Sequence, residues 1–97
     1  MRVNGKVFEV CEGLNQFIGL MFQKPRPLIF PMNGKKTDIH MFFVFHEIEV
    51  FWVRDEKVVK KELARPFRIY PGVKADYLLE APVGYLKVRE GEKIKIS

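Results

Sequence analysis

One apolar stretch, from Ile39 to Val53, constrains the fold more than any other part of the sequence. It contains the only Trp and several Phe, and its longest polar break is His46-Glu47. It is too long for one typical strand, and it is shorter than the roughly 18 apolar residues that a membrane helix needs. The break therefore predicts two strands, at residues 39–45 and 48–54.

Turn signals divide the rest of the chain at spacings near ten residues. Asn4-Gly5 predicts a hairpin turn between short strands in residues 2–10, and residues 54–57 predict a second hairpin. Further β-rich runs are Leu28-Ile29-Phe30, Val58-Val59, residues 67–70, 77–81 and 93–96. Many short strands at this spacing favour an all-β fold, an antiparallel sandwich or barrel.

One short helix is expected within this all-β chain. Leu14, Phe17, Ile18 and Met21 recur at positions i, i+3, i+4 and i+7, which places them on one face of a helix. The pattern predicts a helix over about residues 12–20. The prolines at residues 25 and 27 end any helix that reaches them.

Length and composition bound the class of protein. Ninety-seven residues, 47% of them hydrophobic, suit a single folded domain spanning residues 1–97 rather than a disordered chain. A single cysteine excludes an internal disulfide framework. The first residues lack the apolar stretch of a signal peptide. We therefore expect a cytoplasmic protein with no membrane partner.

The charge balance is modestly basic. Seventeen Lys and Arg against twelve Asp and Glu give a net charge of +5. The bases concentrate in residues 24–36 and in a second group, Lys57, Lys60, Lys61, Arg65 and Arg68. Such groups can bind phosphate backbones. No nucleic-acid recognition motif accompanies them, so we expect a solvated surface and no specific nucleic-acid site.

Histidine and cysteine do not form a recognisable reactive site. His46-Glu47 begins the zinc-protease pattern H-E-x-x-H, but residue 50 is Val, so the second ligand is missing. His40 and His46 would lie roughly 20 Å apart on one extended strand, too far to share a metal ion. Cys11 has no catalytic signature around it. We expect no metal, no cofactor and no identifiable catalytic residue.

The acids Glu47 and Glu49 share one face of an extended strand. Two neighbouring carboxylates could perform acid/base chemistry. Glu49 lies between Ile48 and Val50, so a buried carboxylate there would need a partner. Because bases outnumber acids, we expect that partner to be a cation, Arg65 or Arg68.

Several motifs occur together in an order that is typical of one family. They are Gly19-Leu20-Met21-Phe22, Ile39-His40-Met41-Phe42-Phe43, Ile48-Glu49-Val50, Val58-Val59, Tyr77-Leu78-Leu79-Glu80 and Gly84. In this order they resemble the family called domain of unknown function 192, across residues 14–96. The resemblance implies a small jelly-roll-like β-sandwich or barrel with one short helix, and it implies no activity.

The resemblance matches particular residues of this chain to the family motifs, and it also shows where the chain differs from the family. Gly19, Leu20 and Met21 match the first motif, His40 and Met41 match the second, and Glu49 matches the acid of the third. Gln23 stands where the family usually has Arg, Glu47 where it has Pro, and Glu49 and Glu92 where it has Asp. The stretch between Gly84 and Gly91 is also shorter than usual.

Three functions from different classes remain open. The first is a binding module for an unknown small ligand or peptide segment, with a wall formed by Gly19, Leu20, Met21, His40, Met41 and Glu49. The second is a protein–protein or homodimeric interaction domain that uses exposed Phe on an edge strand. The third, less favoured, is an enzyme with His40 and Glu49 as an acid/base pair. Whether the chain is an enzyme is left open by the sequence.

Overall fold

The strands of the chain form one large sheet and two small ones. The computed structural model describes residues 1–11, 26–36, 38–40 and 46–97. The strands in these ranges are β1 Arg2–Val3, β2 Lys6–Val7, β3 Glu9–Val10, β4 Leu28–Pro31, β5 Ile39–His40, β6 Ile48–Arg54, β7 Lys57–Ala64, β8 Ile69–Tyr70 and β9 Tyr77–Pro82. The predicted all-β class is confirmed, and the helix predicted at residues 12–20 lies outside the described residues.

The five-stranded sheet has the order β3-β4-β9-β6-β7, which places β9 at its centre. All of its pairings are antiparallel except β3 with β4, which run parallel. β1 pairs with β2, and β5 pairs with β8, in the two smaller sheets. Both edges of a central strand are hydrogen-bonded to neighbouring strands, and its side chains point alternately to the two faces of the sheet.

Two predicted hairpin turns are confirmed, and their backbone angles explain them. Asn4 and Gly5 have φ of 50° and 81° between β1 and β2. Asp55 and Glu56 have φ of 53° and 56° between β6 and β7. Consecutive positive φ angles match the right-handed twist of the flanking strands, which is why residues such as Asn, Asp and Gly are favoured there.

Each face of the large sheet supports its own core. The first, which we call the tryptophan face, comprises Leu28, Phe30, Ile48, Val50, Trp52, Ala64 and Leu78, with Cys11, Met32, Ile39 and Ala75 packed on it. The second, the phenylalanine face, comprises Ile29, Phe51, Val53, Val58, Leu79 and Ala81, with Val3, Phe8, Leu86, Val88 and Ile94 packed on it. The sheet is therefore the middle layer of a small β-sandwich.

The C-terminal segment differs from the strand predicted at residues 93–96. Ile94 donates its N–H to the carbonyl of Glu56, whereas Lys95 and Ser97 bond to the N-terminal hairpin. The segment therefore bonds first to the β6–β7 turn and then to a different element. Isolated β-bridges hold the segment over the phenylalanine face, and they do not form a continuous strand.

One other predicted strand is shorter in the structure, and another is described only in part. The strand predicted at 67–70 is confined to Ile69–Tyr70, because the backbone of Phe67 has φ of 61°. That conformation is incompatible with an extended strand. The strand predicted at 39–45 is described only for Ile39–His40, and residues 41–45 lie outside the described residues.

Candidate functional site

The residues proposed as a ligand wall are only partly described by the structure. Gly19, Leu20, Met21 and Met41 lie outside the described residues. His40 is described by its backbone alone, in β5 opposite Ile69 of β8. Glu49 is the member of the set whose side chain the structure describes, so it alone can be placed by its contacts.

Glu49 joins three elements on the phenylalanine side of the sheet. Its carboxylate lies 3.2 Å from Nζ of Lys61 on β7, and it accepts a 2.8 Å hydrogen bond from the N–H of Gly84 after β9. The Glu49 side chain is only 13% exposed. The predicted cation is present, but it is Lys61 and not Arg65 or Arg68.

Lys61 is held by more than this ion pair. Its ammonium group also donates to the carbonyl of Val88 at 2.8 Å and lies 5.3 Å from the centre of the Phe51 ring. Glu49 faces Leu63 in the β6–β7 register, so Lys61 is its diagonal neighbour two residues along β7. Glu49 and Lys61 therefore link the end of the sheet to the loop that follows β9.

Glu47 does not share a site with Glu49. It pairs with Arg65 at 3.5 Å, and both side chains are more than half exposed. With His46 and Pro66 these two residues line a shallow, open depression. Among the described residues, no group of three potential ligands could hold a metal ion. The two carboxylates predicted to be neighbours therefore serve two separate ion pairs.

Members of the second basic group are held by acceptors of the chain itself. Lys60 donates to the carbonyl of Pro71 and lies 5.2 Å from the centre of the Trp52 ring. Lys61 pairs with Glu49, and Arg65 pairs with Glu47. These cations already have partners within the fold, which leaves less of the group's charge available for a phosphate backbone.

The most unusual acid of the described chain is Glu80, on the central strand β9. Its direct cross-strand neighbours are Leu28 on β4 and Val50 on β6, both on the tryptophan face. Leu78 and Pro82 are its same-face neighbours along β9, because side chains alternate along a strand. Glu80 is 9% exposed and is the buried charged residue of the described core.

The surroundings of Glu80 favour its neutral form. Burial raises the pKa of the Glu80 carboxyl group from its ordinary value of 4.5 to about 7. In the part of the chain that the structure describes, no ion pair includes Glu80, and Lys61 extends from the opposite face of the sheet. A protonated carboxyl group can donate a hydrogen bond, which a carboxylate cannot. Glu80 is therefore a candidate hydrogen-bond donor within an apolar core.

Cys11 lies at the end of β3 on the same side of the sheet. Its Sγ is 3.9 Å from the carbonyl oxygen of Glu9, and the residue is 6% exposed. Burial, and then the nearby charge of Glu9, raise the pKa of the Cys11 thiol. A buried neutral thiol is a poor nucleophile, so Cys11 acts as a small apolar residue of the core.

In the sequence, Glu80 is singled out only as part of a family motif. The signal that identifies it is the run Tyr77-Leu78-Leu79-Glu80-Ala81, in which apolar residues occupy both alternating sets of positions. Such a run is typical of a strand buried on both faces. An acid within it must be buried as well.

Comparison with known proteins finds relatives in species of Pyrococcus and Thermococcus. The UPF0127 protein of Pyrococcus horikoshii is 35% identical over 91 residues, covering 84% of this chain and 79% of the relative. That of Pyrococcus abyssi is 37% identical over 100 residues, covering 94% and 86%. That of Thermococcus kodakarensis is 34% identical over 97 residues, and the chain spans 62% of its length. No family model matches the chain.

A solved structure shares the fold. The crystal structure of a protein of unknown function from Novosphingobium aromaticivorans superimposes with a TM-score of 0.78, covering 91% of this chain and 73% of that one. The two sequences are 22% identical, so this likeness supports the β-sandwich architecture alone. In the described ranges, no helix has the length and hydrophobicity needed to cross a membrane.

Proposed function

The chain belongs to the UPF0127 family, and we propose that it is a binding module for a small, largely apolar ligand. The ligand lies against the tryptophan face beside Glu80. The observation that carries the proposal is the burial of this acid among the apolar core residues of the tryptophan face. Ligand sites commonly combine apolar walls with a few polar groups that orient the ligand.

Burial of Glu80 works against its ionised form. Charged groups are costly to remove from water, and burial raises the pKa of the Glu80 carboxyl group to about 7. Its cross-strand neighbours Leu28 and Val50 have no polar side-chain group to offer it. A polar group retained at such a cost is explained by recognition of another molecule.

For the other residues of the proposed site we rely on the sequence motifs. We assign to it Gly19, Leu20, Met21, His40 and Met41. Support comes from β5, where Ile39, the residue before His40, packs on the tryptophan face. Glu49 points to the phenylalanine side, where Lys61 and Gly84 hold it, so the proposal gives it a structural role.

The proposal is tested by purifying the chain and two variants under identical conditions. Native mass spectrometry should detect a bound small molecule on the wild type, and Glu80→Leu should lose it. Glu47→Leu is the matched control, because Glu47 is exposed in a separate ion pair, and it should keep the molecule.

A thermal-shift screen of neutral apolar compounds provides a second measurement. A ligand of the native state raises the melting temperature in proportion to RT ln(1 + [L]/Kd). Absence of any bound molecule on the wild type, together with absence of any stabilising compound, contradicts the proposal.

A second candidate function is that of an interaction domain, in which β8 contacts a second copy of the chain or another protein. Ile69 of this strand is 60% exposed and the nearby Phe67 is 56% exposed. Large exposed apolar side chains beside a short edge strand can pair with another chain. Light scattering after size exclusion distinguishes the candidates: a dimer that Ile69→Lys converts to monomer favours the interaction domain.

Two further assignments belong to the proposal. The lone cysteine, Cys11, is free, which suits a reducing compartment, and we place the protein in the cytoplasm. The ordered motifs from Gly19 to Gly84 support the view that UPF0127 and domain of unknown function 192 describe the same family.

A further inference from the structure

Two identical Asn-Gly-Lys tripeptides occur in the chain, at residues 4–6 and 33–35, and both lie in exposed turns. Their backbones have nearly the same conformation. The two asparagines have φ of 50° and 52°, and the glycines that follow them have φ of 81° and 77°. Because the sequence and the local backbone match, a difference in the chemistry of the two turns has to come from their hydrogen bonds.

An asparagine that precedes a glycine can react with the backbone of its own chain. The glycine nitrogen loses its proton and attacks Cγ of the asparagine side chain, and a five-membered succinimide ring forms. The bond from Cγ to the side-chain nitrogen breaks, and this nitrogen takes up the proton and leaves as ammonia. Water then opens the ring at one of its two carbonyl groups, which gives aspartate or isoaspartate. Glycine, which has no Cβ, obstructs the ring closure least.

The two glycine nitrogens differ in their hydrogen bonds. The N–H of Gly34 donates to the carbonyl oxygen of Ala75 at 2.9 Å. In the ranges that the structure describes, the N–H of Gly5 donates to no acceptor of the chain. The nitrogen must lose its proton before it attacks, and a hydrogen-bonded N–H is protected from that loss. The attacking group is therefore available at Gly5 and protected at Gly34.

The side-chain amide of Asn4 is held by a donor at the atom that matters for this reaction. Lys95 donates its backbone N–H to Oδ1 of Asn4 at 2.9 Å. Attack on Cγ places negative charge on Oδ1, and a donor already directed at that oxygen stabilises the developing charge. Among the described residues, Oδ1 of Asn33 has no such donor. Both partners of the reaction are therefore better prepared in the first turn than in the second.

We propose that Asn4 is a site of spontaneous covalent modification, in which Gly5 supplies the attacking nitrogen and the N–H of Lys95 stabilises the charge on Oδ1. Asn33, in the second turn, is protected. Water is the co-reactant, so the atoms balance without an enzyme, a metal ion or a cofactor. The proposal does not depend on ligand binding, and a result for one does not decide the other.

The modification acts on the contact between the N-terminal hairpin and the C-terminal segment. Asn4 donates its N–H to the carbonyl of Lys95 and accepts from the N–H of the same residue. Next to them, Val3 forms a β-bridge with Ile96. Isoaspartate carries the main chain through Cβ, which lengthens the turn and shifts the register that the turn sets. We therefore expect the isoaspartate form to melt at a lower temperature than the unmodified chain.

The test compares the two turns within one molecule. The full chain is kept at pH 8.5 and 37 °C, and mass spectrometry of peptides from timed samples measures the conversion of each asparagine. Asn4 should convert about fivefold faster than Asn33, because one hydrogen bond has to break first at Gly34. In 6 M guanidinium chloride the two rates should become nearly equal, since the tripeptides are identical. Amide hydrogen exchange should be faster at Gly5 than at Gly34.

A variant tests the role of the donor. Lys95→Pro removes the N–H that Oδ1 of Asn4 accepts, so it should slow conversion at Asn4 and leave Asn33 unchanged as the internal control. Equal rates in the folded wild type, or faster conversion of Asn33, overturn the proposal. A rate difference that persists in guanidinium chloride also overturns it, because the difference would then not come from the fold. The wild-type comparison decides the matter even where the variant fails to fold.

Discussion

The carboxylate of Glu49 lies 3.2 Å from the ammonium group of Lys61, on neighbouring strands and beneath the loop that contains Gly84. The side chains are 13% and 28% exposed, so the pair is shielded from water far more than the Glu47–Arg65 pair. This relationship explains how an acid between Ile48 and Val50 is accommodated at the end of β6.

Replacing Glu49 with Gln should destabilise the fold at neutral pH. The amide keeps an oxygen that can accept from Gly84, but it leaves the charge of Lys61 without its partner. Exposed pairs are worth under about 1 kcal/mol and breaking a buried one costs about 3–5, so a partly buried pair should lie between, at about 1–2 kcal/mol. Urea unfolding measures the difference.

The matched control for this experiment is Glu47→Gln. Glu47 and Arg65 are 51% and 60% exposed, so this change should alter the free energy of unfolding by less than about 0.5 kcal/mol. Equal losses of unfolding free energy in the two variants would show that the Glu49–Lys61 pair stabilises the fold no more than an ordinary surface pair does.

The basic surface should bind nucleic acid only weakly and without selectivity. Lys60, Lys61 and Arg65 are held by acceptors of the fold, and phosphate contacts made by the remaining bases weaken steeply with salt. Fluorescence anisotropy with labelled DNA should show binding that is lost between about 50 and 200 mM salt. Sequence-selective binding that persists at the higher salt would refute this.

The thiol of Cys11 should react slowly with iodoacetamide in the native protein. It is 6% exposed and burial raises its pKa, so little reactive thiolate is present at neutral pH. Mass spectrometry of timed samples measures the rate, and the same reaction in 6 M guanidinium chloride should be much faster. Rapid modification of the folded chain would contradict this, because it would show an accessible and reactive thiol.

The sequence predicted those elements whose signals are local. The Asn4-Gly5 turn and the strand Ile48–Arg54 follow from turn chemistry and β-branched or aromatic residues. Strand β7 extends from Val58-Val59 through three charged residues to Ala64, which the composition of that stretch did not indicate. Its pairing with β6 outweighs the weak strand preference of Lys and Glu.

The candidate site depends on relationships that a sequence does not contain. The partner of Glu49 is decided by the β6–β7 register, which makes Lys61 its diagonal neighbour and leaves Arg65 opposite Glu47. The burial of Glu80 depends on the strand order, which places β9 between β4 and β6. Such long-range pairings become visible only in the folded chain.

The buried acid should make the stability of the fold depend on pH. The pKa of Glu80 is about 7 in the folded chain and 4.5 is its ordinary value, so the native state holds the proton more tightly than the unfolded state. The contribution of this proton to the free energy of unfolding is fully present below about pH 4.5 and is lost as the pH rises through about 7. The shift corresponds to about 3 kcal/mol.

Comparison with a variant isolates this contribution from the other titrating groups. The stability of the wild type should fall relative to Glu80→Gln between pH 5 and pH 8, because the amide does not ionise. Glu62→Gln should follow the wild type across the same range. Parallel profiles for wild type and Glu80→Gln would mean that folding does not change the proton affinity of Glu80.

Burial at the centre of the tryptophan face raises the pKa of Glu80 to about 7, so much of this acid is protonated at neutral pH. Carbon-13 NMR of side-chain carboxyl groups, assigned by comparison with Glu80→Gln, measures its titration directly in the folded chain. We expect a midpoint near 7, well above that of exposed glutamates. A midpoint near 4.5 would contradict this expectation, because the pKa of Glu80 would then be unchanged by burial and the residue would be fully ionised at neutral pH.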